Sequence, residues 1–171
     1  MTDLDLIETD RLVLSGWRHD QLPDLVRMHG DPEITRYYSA SGAPWSAERC
    51  AEALDAWIVQ FERERMGKLR VRRKSDGVLV GRAGFGTFEA TGEPEIGFTL
   101  FREFRGQGYA TEAAMALRDW IFRDTEWDRF LGFAHVDNAP SLATLKRIGM
   151  AEVEVFDFHG MRCLMHRMEQ P

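Results

Sequence analysis

The chain has 171 residues, 44% of them hydrophobic and 29% charged, which suits one globular domain over residues 1–171 and leaves no room for two of comfortable size. Its 28 acidic and 22 basic side chains give a net charge of −6, which opposes nonspecific nucleic-acid binding and favours cationic partners. There is no basic-then-apolar leader and no apolar run of membrane-spanning length, and Cys50 and Cys163 stand in no metal-ligand or Cys-x-x-Cys spacing, so a cytoplasmic chain with no metal and no membrane contact is expected.

Arg11 to Arg18 alternates apolar residues and predicts a strand. Asp20 to Gly30 has helical spacing, with Asp20 as a plausible N-cap and Pro23 in the first turn. Ser46 to Arg65 predicts a longer helix with Cys50, Leu54, Trp57, Ile58 and Phe61 on one face. The period then falls to two. Lys68 to Lys74 and Val78 to Phe88 flank an Asp76-Gly77 hairpin signal, and Glu95 to Phe101 follows a second turn-rich stretch. The basic run Arg70, Arg72, Arg73, Lys74 reads as a solvated guard on an edge strand. Gly108 to Arg123 predicts a helix, and Arg129 to Val136, apolar on both faces, a strand inside a covered sheet. A short helix from Asn138 to Ile148 closes at Gly149, and 151–157 with 161–168 form a hairpin turning at His159-Gly160. The order β α α β β β α β α β β implies an α/β (α+β) fold with a mixed, mostly antiparallel sheet, in which the helix between strands 95–101 and 129–136 demands one parallel pair.

The chemistry is concentrated between Glu95 and Glu112. A strand runs into a loop with small residues at Gly106, Gly108 and Ala110, and that loop opens an amphipathic helix. Unpaired N–H groups at such a helix start, with the positive end of the dipole, suit an anion such as a pyrophosphate, and glycine lets it approach the backbone. The plainer reading is a tight turn before a helix. The dinucleotide fingerprint lacks its third glycine here, and no Gly-Lys-Ser/Thr exists for a P-loop.

Arg105-x-x-Gly108-x-Ala110 resembles the acyl-CoA signature of the GNAT superfamily of N-acetyltransferases. Asn138-Ala139-Pro140-Ser141 with Lys146, Arg147, Ile148 and Gly149, and the opening Thr9-Asp10-Arg11-Leu12-Val13-Leu14, are similar to the subgroup that acetylates ribosomal-protein N-termini. The resemblance runs from about Ile7 to Met168. It implies an acyl-CoA N-acyltransferase fold with a splayed parallel pair and acetyl-CoA as cosubstrate. It further implies that the loop Arg105, Gly106, Gln107, Gly108, Tyr109 and Ala110, assisted by Thr111, holds the pyrophosphate. Leu100 and Phe101 would pair with the pantetheine arm, Asn138 would bond it or order its loop, and Ser141 would sit near the sulfur.

An ammonium must lose a proton before it attacks a thioester, so a carboxylate base is needed. Glu95, at the start of the strand beside the splay, is the first choice; Glu89 is the alternate, and Glu93 lies in a loop. Many superfamily members place a Tyr acid seven residues after the Asn, where this chain has Leu145. Ser141 is then the proton donor for the thiolate, or simply satisfies the helix's first turn, as Asn138 would as its cap. Tyr37, Tyr38 and Trp45 are expected to wall the acceptor pocket. The acceptor itself, a protein N-terminus or a small-molecule amine, stays open, as does a monomer or homodimer. The rival is a module that keeps the acyl-CoA loop without turnover.

Overall fold

The computed structural model describes residues 3–171. Among them, eight strands form one sheet in the order β1-β2-β3-β4-β5-β6-β8-β7. These are β1 (Asp5–Glu8), β2 (Leu12–Ser15), β3 (Lys68–Arg73), β4 (Leu79–Thr87), β5 (Pro94–Leu100), β6 (Arg129–His135), β7 (Ala151–Phe158) and β8 (Met161–Glu169). Every pairing is antiparallel except β5 with β6. The helices are α1 (Leu22–His29), α2 (Pro32–Thr35), α3 (Ala47–Glu64), α4 (Tyr109–Asp124) and α5 (Ala139–Arg147).

Helix α4 buries the stripe Ala113, Ala114, Leu117, Trp120 and Ile121 against Val71, Phe85, Ile96 and Phe130 of the sheet. Helices α1 and α3 pack together through Leu25, Cys50, Leu54 and Ile58, joined by Trp17. Arg70, which points from β3 to Asp24 of α1 (2.9 Å), sets these helices on the face opposite α4. Both turn signals act as expected. Gly77 adopts φ +72°, and His159 and Gly160 both have positive φ at the β7–β8 turn, the backbone that a two-residue hairpin requires.

Three local expectations are corrected. The first strand is a hairpin: β1 precedes β2, and Thr9 to Arg11 turn between them. Asp20 caps nothing; its carboxylate is held by Arg18 (3.0 Å), and α1 starts after a 3₁₀ turn at His19–Gln21. The basic run is no edge guard, because β3 lies between β2 and β4. Arg70 meets Asp24, Arg72 meets Asp5 and Lys74 meets Glu8, acids brought from distant parts of the chain, while Arg73 meets Asp76 in the turn that follows.

The parallel pair is the exceptional joint. Strand β5 is partnered with β4 from Pro94 to Leu100, and β6 with β8 from Arg129 to His135. Between β5 and β6 only Glu95↔Leu131 and Ile96↔Gly132 are in register. Gly132 is needed at this last rung, since a Cβ there would lie 2.9 Å from side-chain carbons of Ile96 and Leu145. Beyond it the strands fork.

Candidate active site

The loop between β5 and α4 is built as the motif requires. Gly106 (φ +75°) and Gly108 (φ +82°) occupy left-handed backbone, Gly108 as the N-cap, and a side chain at 106 would meet open space. The first α4 amide with an acceptor inside the helix is Glu112, bonded to the Gly108 carbonyl (3.0 Å), so the amides of Tyr109, Ala110 and Thr111 are free of the helix ladder. Arg105, Gly106, Gln107 and Gly108 are exposed, whereas Tyr109 is buried beneath the Arg11 guanidinium.

Sequence reasoning missed what anchors this loop. Glu112 accepts from Thr9 Oγ1 (2.5 Å), the Arg11 amide (3.0 Å) and Arg11 Nε (2.6 Å), and Arg11 Nη1 donates to the Gln107 carbonyl (2.9 Å). The β1–β2 turn is thus bolted to the first turn of α4. Burial pushes the Glu112 carboxyl up, but hydrogen bonds from Thr9 and Arg11 and the Arg11 charge outweigh it and hold the group below its ordinary value. The bonds therefore stabilise the fold above the unfolded-state carboxylate range and are lost as pH falls through the depressed native value. Thermal melts of E112Q should lie about 1–2 kcal/mol below wild type at neutral pH. That gap should close on acidification below about pH 4. A constant gap at all pH values would show that the carboxylate charge is not what matters.

At the fork, Phe101 N–H donates to Val80 O across β4 (3.0 Å). Alternate residues of a strand aim their backbone groups to the same side, so Thr99 and Gly97 also face β4 while the amides of Leu100 and Phe98 face the gap. Phe101 itself turns away: its ring is buried with Met28, Ile34 and Leu79 and lies under Arg27.

Two clefts meet at the fork. One, of about 330 Å³, is lined by Leu100, Arg105, Ala110, Asn138, Pro140 and Ser141 among others. The other, of about 360 Å³, lies on the α1–α3 face and is lined by Trp45, Lys68, Arg82, Glu95, Phe133 and Phe158 among others. Tyr37, Tyr38, Phe98, Thr99, Asn138 and Ser141 border both. Asn138 caps α5 by accepting from the Ser141 amide (3.4 Å), and the half-buried Ser141 borders both clefts. Tyr37 donates to the Asp137 carbonyl (3.4 Å) and stacks on His135, while the Tyr38 hydroxyl bonds that of Thr99. The two tyrosines thus tie to opposite lips of the fork. Leu145, at the position of the missing tyrosine, is buried in the core.

Glu95 stands at the last paired rungs with its side chain 19% exposed, and Lys68 Nζ lies 3.8 Å away. Lysine 68 reaches it by crossing β4 over residues without side chains; a Cβ at Gly97 would lie 2.5 Å from its ammonium. Burial raises the Glu95 carboxyl above its ordinary value, against the pull of the Lys68 and Arg82 charges. Burial likewise lowers Lys68. The other two carboxylates are elsewhere engaged: Glu89 is exposed in the β4–β5 turn, and Glu93 is tied to Arg129 (2.8 Å).

Arg82, on β4, is buried in the same cleft. Its Nε donates to His29 Nε2 (2.9 Å), and its guanidinium lies over the rings of Tyr38 and Trp57. Trp45 packs on His29 at 4.1 Å between ring centres, so all three aromatic residues expected of the acceptor wall border this cleft. Among the described residues no three His, Cys, Asp or Glu side chains gather as a metal site.

A mostly antiparallel sheet forked at one parallel pair, with a glycine loop capping the next helix, is the framework of an acyltransferase enzyme. The chain belongs to the acetyltransferase (GNAT) domain family, whose model matches residues 11–151. It is 25% identical over 147 residues to an uncharacterized N-acetyltransferase, p20, of Bacillus licheniformis, covering 85% of this chain and 82% of that one. The acetyltransferase of Agrobacterium tumefaciens shares the fold at a TM-score of 0.84, with 24% identity and coverage of 99% and 96% of the two chains. RimL, a ribosomal L7/L12 alpha-N-protein acetyltransferase solved with coenzyme A, superposes at 0.80 with 18% identity, covering 95% of this chain and 96% of its own. Among the described residues no helix is long and apolar enough to cross a membrane.

Proposed function

We propose that this protein transfers the acetyl group of acetyl-CoA to a primary amine by direct attack in a ternary complex. The observation that carries the reading is the meeting of two clefts at the fork: a thioester entering from the loop side and an amine from the Glu95 side converge beside Ser141. The pyrophosphate lies on the loop from Arg105 to Ala110, with Thr111 in the first helical turn, and the pantetheine arm runs along the unpaired side of β5 at Leu100. Glu95 takes the amine proton, directly or through water, and the nitrogen attacks the carbonyl carbon. The amides of Phe98 and Leu100 face the gap where the oxyanion forms. Collapse breaks the carbon–sulfur bond, and Ser141 relays to the thiolate the proton that the attacking nitrogen sheds, so its own hydroxyl is restored. No enzyme acyl intermediate is needed: Cys50 and Cys163 are buried and burial pushes both thiols up, a poor setting for a nucleophile. The Asn138 to Ser141 segment supports placement near the subgroup that acetylates ribosomal-protein N-termini.

A thermal shift with acetyl-CoA, with ATP and NADH as controls, tests the cradle. At about 100 times the dissociation constant the cosubstrate should add about 2.7 kcal/mol. Absence of an acetyl-CoA-selective rise would remove the foundation of the reading. S141A should lower kcat by about tenfold at neutral pH, less than the usual 10²–10⁴-fold of acid–base catalysis because a thiolate leaves with little help. Its deficit should shrink above about pH 8.5, where a thiolate leaves without a proton. An unchanged kcat would assign Ser141 to binding alone.

A further inference from the structure

The acceptor-side cleft holds a positive charge that the transfer chemistry does not use. Among the described residues its only lining carboxylate is Glu95, and Glu95 is matched by Lys68. Whichever of the two holds the proton, their charges sum to zero. Arg82 is left over. It is 7% exposed, and a guanidinium does not shed its proton to escape burial. Its cross-strand neighbours offer no counter-charge: Thr99 is neutral, and Arg70 is a second cation already matched by Asp24. His29 accepts from Nε and is itself fully buried, with burial and the Arg82 charge pushing it down to about 2, so it is a neutral ligand.

The two Nη atoms of Arg82 have no acceptor among the described residues, and they are not sealed off, unlike the buried nitrogens of Trp17, His29 and Trp45. They open to the cleft that Arg82 lines. The Nε bond to His29 and the rings of Tyr38 and Trp57 fix the plane of the guanidinium without using its outer edge. Such a planar pair of donors, held rigid and partly desolvated, matches a carboxylate through two parallel hydrogen bonds. A buried cation left unpaired is costly, and an anion delivered by the ligand removes that cost.

Building on the transferase reading, we propose that the acceptor is a small amine that also bears a carboxylate, bound by Arg82 while the amine faces Glu95. Phe133, Phe158 and Met161 line the same cleft and suit an apolar or aromatic side group. This inverts the expectation from net charge. The chain's −6 is spread over its surface and screened beyond about 8–10 Å, whereas the acceptor meets the local field of the cleft. It also disfavours a protein N-terminus, in which a neutral peptide bond stands where the carboxylate of a free amino acid would.

The test is CoA release from acetyl-CoA by the wild-type enzyme with apolar α- and ω-amino acids, their amides, and peptides beginning with the same residues. Carboxylates should exceed the matched amides in kcat/KM by about 10–100-fold, the range for a hydrogen-bonded charge. R82Q should erase that preference mainly through KM while leaving the acetyl-CoA thermal shift intact. Equal use of amides or peptides by wild type overturns the proposal, as does an R82Q defect that falls alike on both classes. Turnover with none of these amines also overturns it. Loss of the wild-type acetyl-CoA shift instead locates the failure in the transferase reading itself.

Discussion

E95Q should lose amine-dependent CoA release by about 10²–10⁴-fold, the contribution of a positioned general base. Its acetyl-CoA thermal shift should be unchanged, because Glu95 lines only the acceptor-side cleft. The pH dependence makes the result specific. A base works when ionised, so kcat/KM should rise with pH through a limb set by Glu95, and burial places that limb above the ordinary carboxylate range. The Lys68 charge opposes that rise. Removing it in K68M should therefore move the limb to still higher pH, slowing the enzyme most on the acid side and least on the alkaline side. Wild-type turnover by E95Q across the pH range would place the base elsewhere, and an unmoved limb in K68M would detach the limb from Glu95.

A large stability change is expected at a residue with no side chain. In G81A the new Cβ would lie 2.1 Å from the Thr99 carbonyl oxygen and 2.9 Å from the Leu100 Cα, contacts with backbone that no rotamer relieves. One of the two strands must move, at about 3 kcal/mol, the upper part of the usual overpacking range. For a chain of this size that is a fall of about 6–12 °C in Tm. G86A is the matched control on the same strand, since its nearest neighbours stand at 3.7 Å, an ordinary contact. The shift of β5 in G81A would also disturb Phe98 to Leu100, so activity should fall further than the folded fraction. Equal melting of the two variants would show that β4 and β5 separate more easily than their close approach implies.

What was legible in the sequence was whatever a local pattern encodes. The stripes of α3 and α4 repeat over several turns, Gly77 and Gly160 mark their hairpins, and Asn138 and Gly149 punctuate α5 at the expected ends. The backbone of the β5–α4 loop belongs to the same class, because its glycines and the helix that follows are contiguous. Strand β1 and helix α2 are four residues each, too short for any period to show, and α2 rests on an Asp31 cap followed by Pro32. Other features exist only after folding. The bolt from Arg11 to Glu112 spans 101 positions. Alternating arginines look the same on an edge strand as on an inner one, and only the arrival of Asp5 and Asp24 decides between them. The charge balance around Arg82 is likewise a sum over β3, β4, β5 and α1, which net composition does not report.

The adjacent tyrosines give the fork an internal gauge. Tyr37 is fastened beyond the end of β6 and Tyr38 to β5, and their Cα atoms are separated by a single peptide unit of about 3.8 Å. Neither lip can swing outward without dragging or releasing a phenol rooted in the other's neighbour. The aperture of the fork is thereby calibrated by one covalent link that belongs to neither strand, and a residue inserted there would reset the width while leaving both strands untouched.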